Sequence, residues 1–261
     1  MTSSLDRELE DLRDAAGAHA AQHRFIPEFH YPPGVRIAVN FTLDFDSMLL
    51  RRLLNEPPMQ LAKGEFGGRV GIWRLIELFD SHRVTATIFT PGRACELYPQ
   101  ALRAAVRSSH EIADHMWEHR VPKEAELEED HLSKTVAAIE KISGRRPLGT
   151  RSSHSAALLR KYGYIYRSEG SADQRPHYEL DENGENCLIN LPFHYVIDDA
   201  MFSASPGSAA RTRRSALPTP NASSTSGGRP SASNTGRAVT SISACTLSSP
   251  AGRCGWRCWT G

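Results

Sequence analysis

Residues Ile37–Asp46, IAVNFTLDFD, decide the reading of the fold. Six of the seven residues from Ile37 to Leu43 favour strands or interiors, and two carboxylates follow at Asp44 and Asp46. A nearly unbroken apolar and β-branched run suits a parallel, internally placed strand, because both of its faces are covered. The strand is expected over Arg36–Leu43. A buried strand that ends in acids is costly unless the acids meet a metal, a cation or hydrogen-bond donors. One residue separates Asp44 from Asp46, so strict alternation sends both to the same side.

The partner segment is Ser109–His119, SHEIADHMWEH, with histidines at 110, 115 and 119. His115 and His119 share a face if the stretch is helical, and in a loop they can converge equally well. A divalent ion takes about two imidazoles and a carboxylate, with open positions for water and substrate. Asp46, His115 and His119 are therefore a candidate metal set, with Asp44 beside them as a base. Taken singly, each motif has a plainer reading. The histidine pair fits a surface helix, and DFD fits a helix cap or an acidic turn. His110 is expected to make a structural hydrogen bond to a neighbouring loop. Arg151, in GTRSSHS, sits after a turn and before a helix, where it could pair with Asp44 and orient it. Alone, a loop arginine is usually solvated. Tyr195 could line a substrate groove, with His194, Asp198 and Asp199 as polar companions.

Outward from these stretches, strands alternate with helices. Residues 47–68 are expected as a long loop with a short helix, closing on GEFGG, whose glycines at 64, 67 and 68 permit unusual backbone angles. Helices are expected at about Val70–His82, Pro99–Ser108, Lys123–Ser143 and Ala156–Tyr162. Further strands are expected at Thr85–Thr90, Glu111–Ala113, Tyr164–Arg167 and Leu188–Leu191. Polar chemistry gathers just after strand ends, the pattern of a β/α barrel or an open α/β sheet.

At 261 residues the chain is long enough for one large domain with a full core. Residues 1–202 carry 24 Lys/Arg against all 30 Asp/Glu, a net charge of −6, while residues 203–261 carry seven Arg and no acid. An acidic body repels phosphate, so no nucleic-acid partner is expected. Residues 4–22 read as an amphipathic or loosely docked helix, and the chain start lacks the apolar stretch of a secretory signal. No run approaches the ~18 apolar residues that span a bilayer, so no membrane partner is expected. Cys95, Cys187, Cys245, Cys254 and Cys258 form no regular framework, which fits a reducing compartment. The expected location is the cytoplasm.

The ordered series TLDFD, GEFGGRVG, ATIFTPG, HEIADHMWEH and RRPLGTRS resembles the polysaccharide deacetylase family. It is most similar to the intracellular branch, with peptidoglycan-deacetylase-like proteins and allantoinase-like and cyclic-imide hydrolases. The resemblance runs from about residue 30 to residue 203. It implies an α/β fold, a distorted (β/α)7 TIM-like barrel, and hydrolysis of amide-type C–N bonds other than peptide bonds. It implies a divalent metal, Zn2+ before others, held by Asp46, His115 and His119. By the same resemblance Asp44 is the base and Arg151 orients it. Glu65 and Arg69 border the substrate, and Tyr195 stands on a late groove strand where Trp is common. The implied partner is a small amide, ureide, cyclic imide or amino-sugar derivative, with a homo-oligomer left open. Two other readings stand beside this one: a metal-dependent aldolase or isomerase on a β/α barrel, and a degenerate family member that binds a ligand without catalysis.

Two departures limit the likeness. RSSHSAALL is shorter than the usual arginine motif. The family's last motif is a strand carrying a histidine, commonly followed by Pro, that acts as general acid; no histidine follows His194 in this chain. Composition also changes abruptly after Ser203, with 13 Ser among the last 59 residues. Such a tail is either low-complexity and disordered or a frame-shifted translation. The genetic code favours the second. Val239–Leu247, VTSISACTL, can be encoded GTT ACT TCA ATA TCT GCA TGC ACC CTT. Without its first two bases that string reads Tyr-Phe-Asn-Ile-Cys-Met-His-Pro, the missing motif. The expected organisation is a helical extension over 1–29, a truncated catalytic domain over 30–203, and an out-of-frame or disordered tail over 204–261. A barrel lacking its last strands exposes sheet edges, so the chain is expected to be unstable and weakly active or inactive.

Overall fold

The computed structural model describes residues 7, 10–14, 23–26, 33–35, 37–169, 175–181, 183–193 and 241–248. Tyr195, His194, Asp198 and Asp199 lie outside the described residues. The strand that opens the sequence reading is β2, Ile37–Asp44, after a short β1 at His23–Phe25. β2 runs parallel to β3 (Ala86–Thr90), and the parallel run continues through β4 (Glu111–Asp114), β5 (Gly149–Thr150) and β6 (Tyr166–Arg167). From β6 it passes to β8 (Asn186–Asn190). β7 (His177–Leu180) is antiparallel to β8, and β1 is antiparallel to β7. At the other edge β9 (Ser241–Ser248) is antiparallel to β2. The order across the sheet is β1-β7-β8-β6-β5-β4-β3-β2-β9.

The register aligns the carboxyl ends of the parallel strands. Asp44 lies opposite Phe89, Thr90 opposite Asp114, and Asp114 opposite Thr150. Side chains that follow these ends share one rim, where open and closed α/β sheets place their chemistry. The sheet also curls. Arg151 follows β5, three strand spacings from β2, which is about 14 Å on a flat sheet. Its guanidinium nevertheless bonds the Asp44 carboxylate. The arrangement is an α/β fold with a mixed sheet and flanking helices, consistent with a distorted and incomplete TIM-like barrel.

Helices cover the outside. Between β2 and β3 come α1 (Leu49–Leu53), α2 (Pro58–Phe66), a π-helical turn at Gly67–Gly71 and α3 (Ile72–His82). After β3 come α4 (Gly92–Leu97) and α5 (Pro99–Arg107), then α6 (Ala125–Ser143) after β4 and α7 (Ala156–Lys161) after β5. α3 buries Ile72, Ile76 and Phe79, spaced four and three apart along one face. α6 carries Glu126 and Glu128 in its first turn and Lys141 in its last, as the helix dipole favours, and ends at Gly144 with φ 74°. The main core joins Leu43, Phe45 and Leu49 to Ile72, Ile88, Leu102, Ile112 and Ile139. A second cluster, Leu132, Val136, Leu159, Tyr164 and Leu188, lies under α6 and α7. Among the described residues no helix is long and apolar enough to cross a membrane.

Three local expectations change. Residues 47–68 are mostly helical rather than loop, and the helix continues through the π turn into α3. The reason lies in the glycines, which serve close approach rather than special backbone angles. A Cβ on Gly64 would lie 2.6 Å from Met48 Cα and from the Ser47 carbonyl oxygen, and one on Gly68 would overlap the Tyr98 ring. The strands β1 and β7 have no counterpart in the sequence reading; both are short, with β1 at the sheet edge and β7 next to it. The stretch 241–248, inside the tail read as out-of-frame or disordered, pairs with β2 as β9.

Candidate metal centre

β2 delivers its two acids to the rim, and the turn after β4 delivers the histidines. Asp46, His115 and His119 each offer a ligand atom, and these atoms lie within 4.8 Å of one another. His115 Nε2 is 3.4 Å from Asp46 Oδ1, and His119 Nε2 is 3.4 Å from Asp46 Oδ2. The two imidazoles meet nearly edge to face, with centroids 4.7 Å apart at 85°.

The donor chemistry fits a cation. His115 Nδ1 lies 2.5 Å from the Arg151 carbonyl oxygen. A carbonyl can only accept, so Nδ1 carries the proton and Nε2 turns a bare lone pair toward Asp46. Asp46 Oδ1 is buried and has no hydrogen-bond partner. Lone pairs facing one another in a buried space repel unless something positive lies between them. Tetrahedral zinc with bonds of about 2.0–2.1 Å spaces its ligands about 3.3 Å apart, close to the separations seen here. For Asp46, burial works against ionisation, but the hydrogen bond and charge of His119 outweigh it and hold the carboxyl below its ordinary value. His119 is raised in turn: burial opposes its charge, and Asp46 overcomes that.

The histidine turn is held under strain. Met116 and His119 adopt φ of 68° and 61°, and Ser47, beside Asp46, adopts 52°. Left-handed backbone costs a non-glycine residue about 1–2 kcal/mol, so the neighbours must enforce it. Asp114 does much of this. Fully buried, it accepts from Met116 N–H at 2.6 Å, Tyr164 O–H at 2.9 Å and Thr150 O–H at 3.1 Å. Glu118 is pinned to Arg52 at 2.6 Å and Arg93 at 2.9 Å. The first turn of α4 is tied to the same segment, Gly92 N–H donating to Met116 O and Arg93 N–H to Trp117 O, each at 2.9 Å. A Cβ on Gly92 would stand 2.5 Å from Trp117 Cε3, which explains the glycine.

Arg151 is the second hub. One guanidinium nitrogen bonds Asp44 Oδ1, and another donates to Thr42 Oγ1 and Ser168 Oγ, each at 3.0 Å. Its plane lies between Phe89 and Phe193, with ring centroids 4.1 and 4.3 Å away. Burial pushes the Asp44 carboxyl up, against the charge and hydrogen bond of Arg151.

Of the residues singled out in the sequence, Asp44, Asp46, His115, His119 and Arg151 come together at the rim. Glu65 and Arg69 make no hydrogen bond or ion pair with them among the described residues. Glu65 instead accepts from Tyr98 O–H and lies 3.5 Å from Arg69 Nε. Tyr98 packs on Phe45, between the two acids, at 5.6 Å. His110 stands apart and accepts from Ala86 N–H at 3.1 Å, at the start of β3. Asp114, Thr42, Ser168, Phe89 and Phe193 are missing from the sequence reading. Only Asp114 carried a signal there, an acid ending a buried strand like Asp44.

The sequence profile of the family described as polysaccharide deacetylase matches residues 66–166, which include both metal-facing histidines. Over those residues the chain is similar to the polysaccharide deacetylase family. It is 33% identical to a peptidoglycan deacetylase of Helicobacter pylori, over 55% of this chain and 59% of that one. A candidate polysaccharide deacetylase from Mycobacterium smegmatis superimposes with a TM-score of 0.60 at 28% identity, over 68% of this chain and 66% of the other. A candidate polysaccharide deacetylase from Pseudomonas aeruginosa PAO1 gives 0.52 at 25% identity, over 57% and 52%. The chain thus spans less than two thirds of the length of the relatives it matches.

Proposed function

We propose that this chain carries the catalytic front of a metal-dependent hydrolase of non-peptide C–N bonds. The observation that supports this reading most is the convergence of His115 and His119 on the Asp46 carboxylate, whose buried Oδ1 is unpartnered, beside an Asp44 held by Arg151. Asp46, His115 and His119 hold a divalent ion, with Zn2+ the first candidate. When bound, the ion supplies Lewis-acid polarisation of a carbonyl and lowers the pKa of a water. Asp44 takes the proton of the attacking water. Arg151 occupies Asp44 Oδ1, so Oδ2 is the oxygen that takes it, and the stacked guanidinium fixes its aim. Glu65, Arg69 and Tyr195 line the approach of substrate. The substrate class is a small amide, ureide, cyclic imide or soluble amino-sugar derivative, met in the cytoplasm.

A second reading has an observation of its own. A strand that closes a β/α barrel on β2 runs parallel to it, whereas β9 is antiparallel and sets Ser241 opposite Asp44. With no histidine after His194, no imidazole from that side can protonate the leaving nitrogen. The chain as it stands is then a metal- and ligand-binding form with little turnover. A frame-restored chain, tested on N-acetyl sugars, ureides and imides beside its Asp44→Asn variant, separates the readings. Turnover that needs both the restored frame and Asp44 supports the hydrolase. Turnover by the Asp44→Asn variant at the parental rate contradicts it.

A further inference from the structure

A cavity of about 590 Å³ lies beside Trp117 of the histidine turn, between α4, α5 and the second half of α6. Its inner wall is apolar: Cys95, Trp117, Ala138 and Ile142, with Cys95 and Trp117 buried. Its rim is cationic, with Arg103, Lys134 and Lys141. The one rim acid, Glu96, is taken by Arg93 at 2.7 Å, and Lys134 is taken by Asp130 at 2.6 Å. Arg103 and Lys141 make no ion pair with any described residue. The volume lies in the range of small-molecule sites, where a mostly apolar wall meets a few placed charges.

We propose that this cavity binds a small organic anion, a carboxylate on a flat aromatic body, with the ring against Trp117 and the carboxylate between Arg103 and Lys141. Charge selects the occupant: two uncompensated cations face an apolar wall, which a neutral or cationic molecule leaves unanswered. The site is separate from the metal centre. None of Asp44, Asp46, His115, His119 or Arg151 lines it. The inference therefore does not depend on the hydrolase reading, and its test uses no turnover.

The test is calorimetric titration of the full chain with 2-naphthoate, and with neutral 2-naphthamide as its partner. Two variants accompany it, both at exposed positions where the fold tolerates change: Arg103→Glu with Lys141→Glu, and Ala137→Trp, which fills the mouth. The expected result is saturable naphthoate binding that weakens roughly tenfold or more in the charge-reversed chain, since two attractions become repulsions. Ala137→Trp abolishes binding, and the amide binds roughly tenfold more weakly than the acid. Absence of saturable binding to the parent, equal affinity for acid and amide, or parental affinity in either variant overturns the proposal.

Discussion

Replacing Asp114 by Ala strips the histidine turn of its anchor while leaving every candidate metal ligand in place. Three donors point at this carboxylate: Met116 N–H, Tyr164 O–H and Thr150 O–H. Thr150 has a second acceptor, Ser152 Oγ at 2.7 Å, and loses little. The other two bonds go to a charged acceptor and are worth about 1.5–3 kcal/mol each. Some of this returns, because burial of a carboxylate is itself unfavourable and pushes the Asp114 carboxyl up. The net loss is roughly 2–4 kcal/mol, a large share of the ~5–15 kcal/mol that holds a typical domain together. Asp114→Asn keeps an oxygen for Met116 N–H and costs roughly half as much. The left-handed Met116 then relaxes and His115 loses its aim, so zinc affinity falls about 10–100-fold, as for other residues that orient ligands. Urea unfolding in a chelator gives the first quantity, and competition with a chromophoric zinc chelator gives the second. The reasoning fails if Asp114→Ala unfolds at the parental midpoint, or if zinc affinity is unchanged while stability drops.

Arg151→Lys keeps the charge but not the planar fork or the stacking between Phe89 and Phe193, and should cost roughly 2–4 kcal/mol. Arg151→Met leaves Asp44 buried without its partner and should cost roughly 3–5 kcal/mol, so the order of urea midpoints is parent, Lys, Met. His110 gives a pH dependence. Burial lowers its pKa, so the folded chain binds that proton less readily than the unfolded one. Its contribution is present above the ordinary histidine value near 6.5 and lost as pH falls through it, with a slope of at most about 1.4 kcal/mol per pH unit. His110→Asn, whose Oδ1 can replace Nδ1 as acceptor for Ala86 N–H, should flatten the melting-temperature profile between pH 7.5 and 5; an unchanged slope speaks against it.

What the sequence revealed of this site was local. Asp44 and Asp46 announce themselves because acids end an apolar run, and His115 and His119 because they stand four apart after a strand. Those signals need no knowledge of the tertiary fold. Arg151 is different. Its partners Thr42, Phe89, Ser168 and Phe193 come from four separate segments, and only the curl of the sheet brings them together. The glycines of GEFGG were legible as special positions but not as to purpose, because Gly64 answers to Met48 and Gly68 to Tyr98. The short strands β1 and β7 escaped for a physical reason too. HYEL alternates buried and half-buried residues over four positions, too few for a periodicity to stand out.

The most direct test of the central claim is the metal content of the purified chain by elemental mass spectrometry, after dialysis against trace Zn2+ and a weak chelator. The account predicts close to one equivalent in the parent, and loss of it in Asp46→Ala and His115→Ala variants that keep the parental circular dichroism. A parent that holds no metal, or variants that hold as much as the parent, would contradict it.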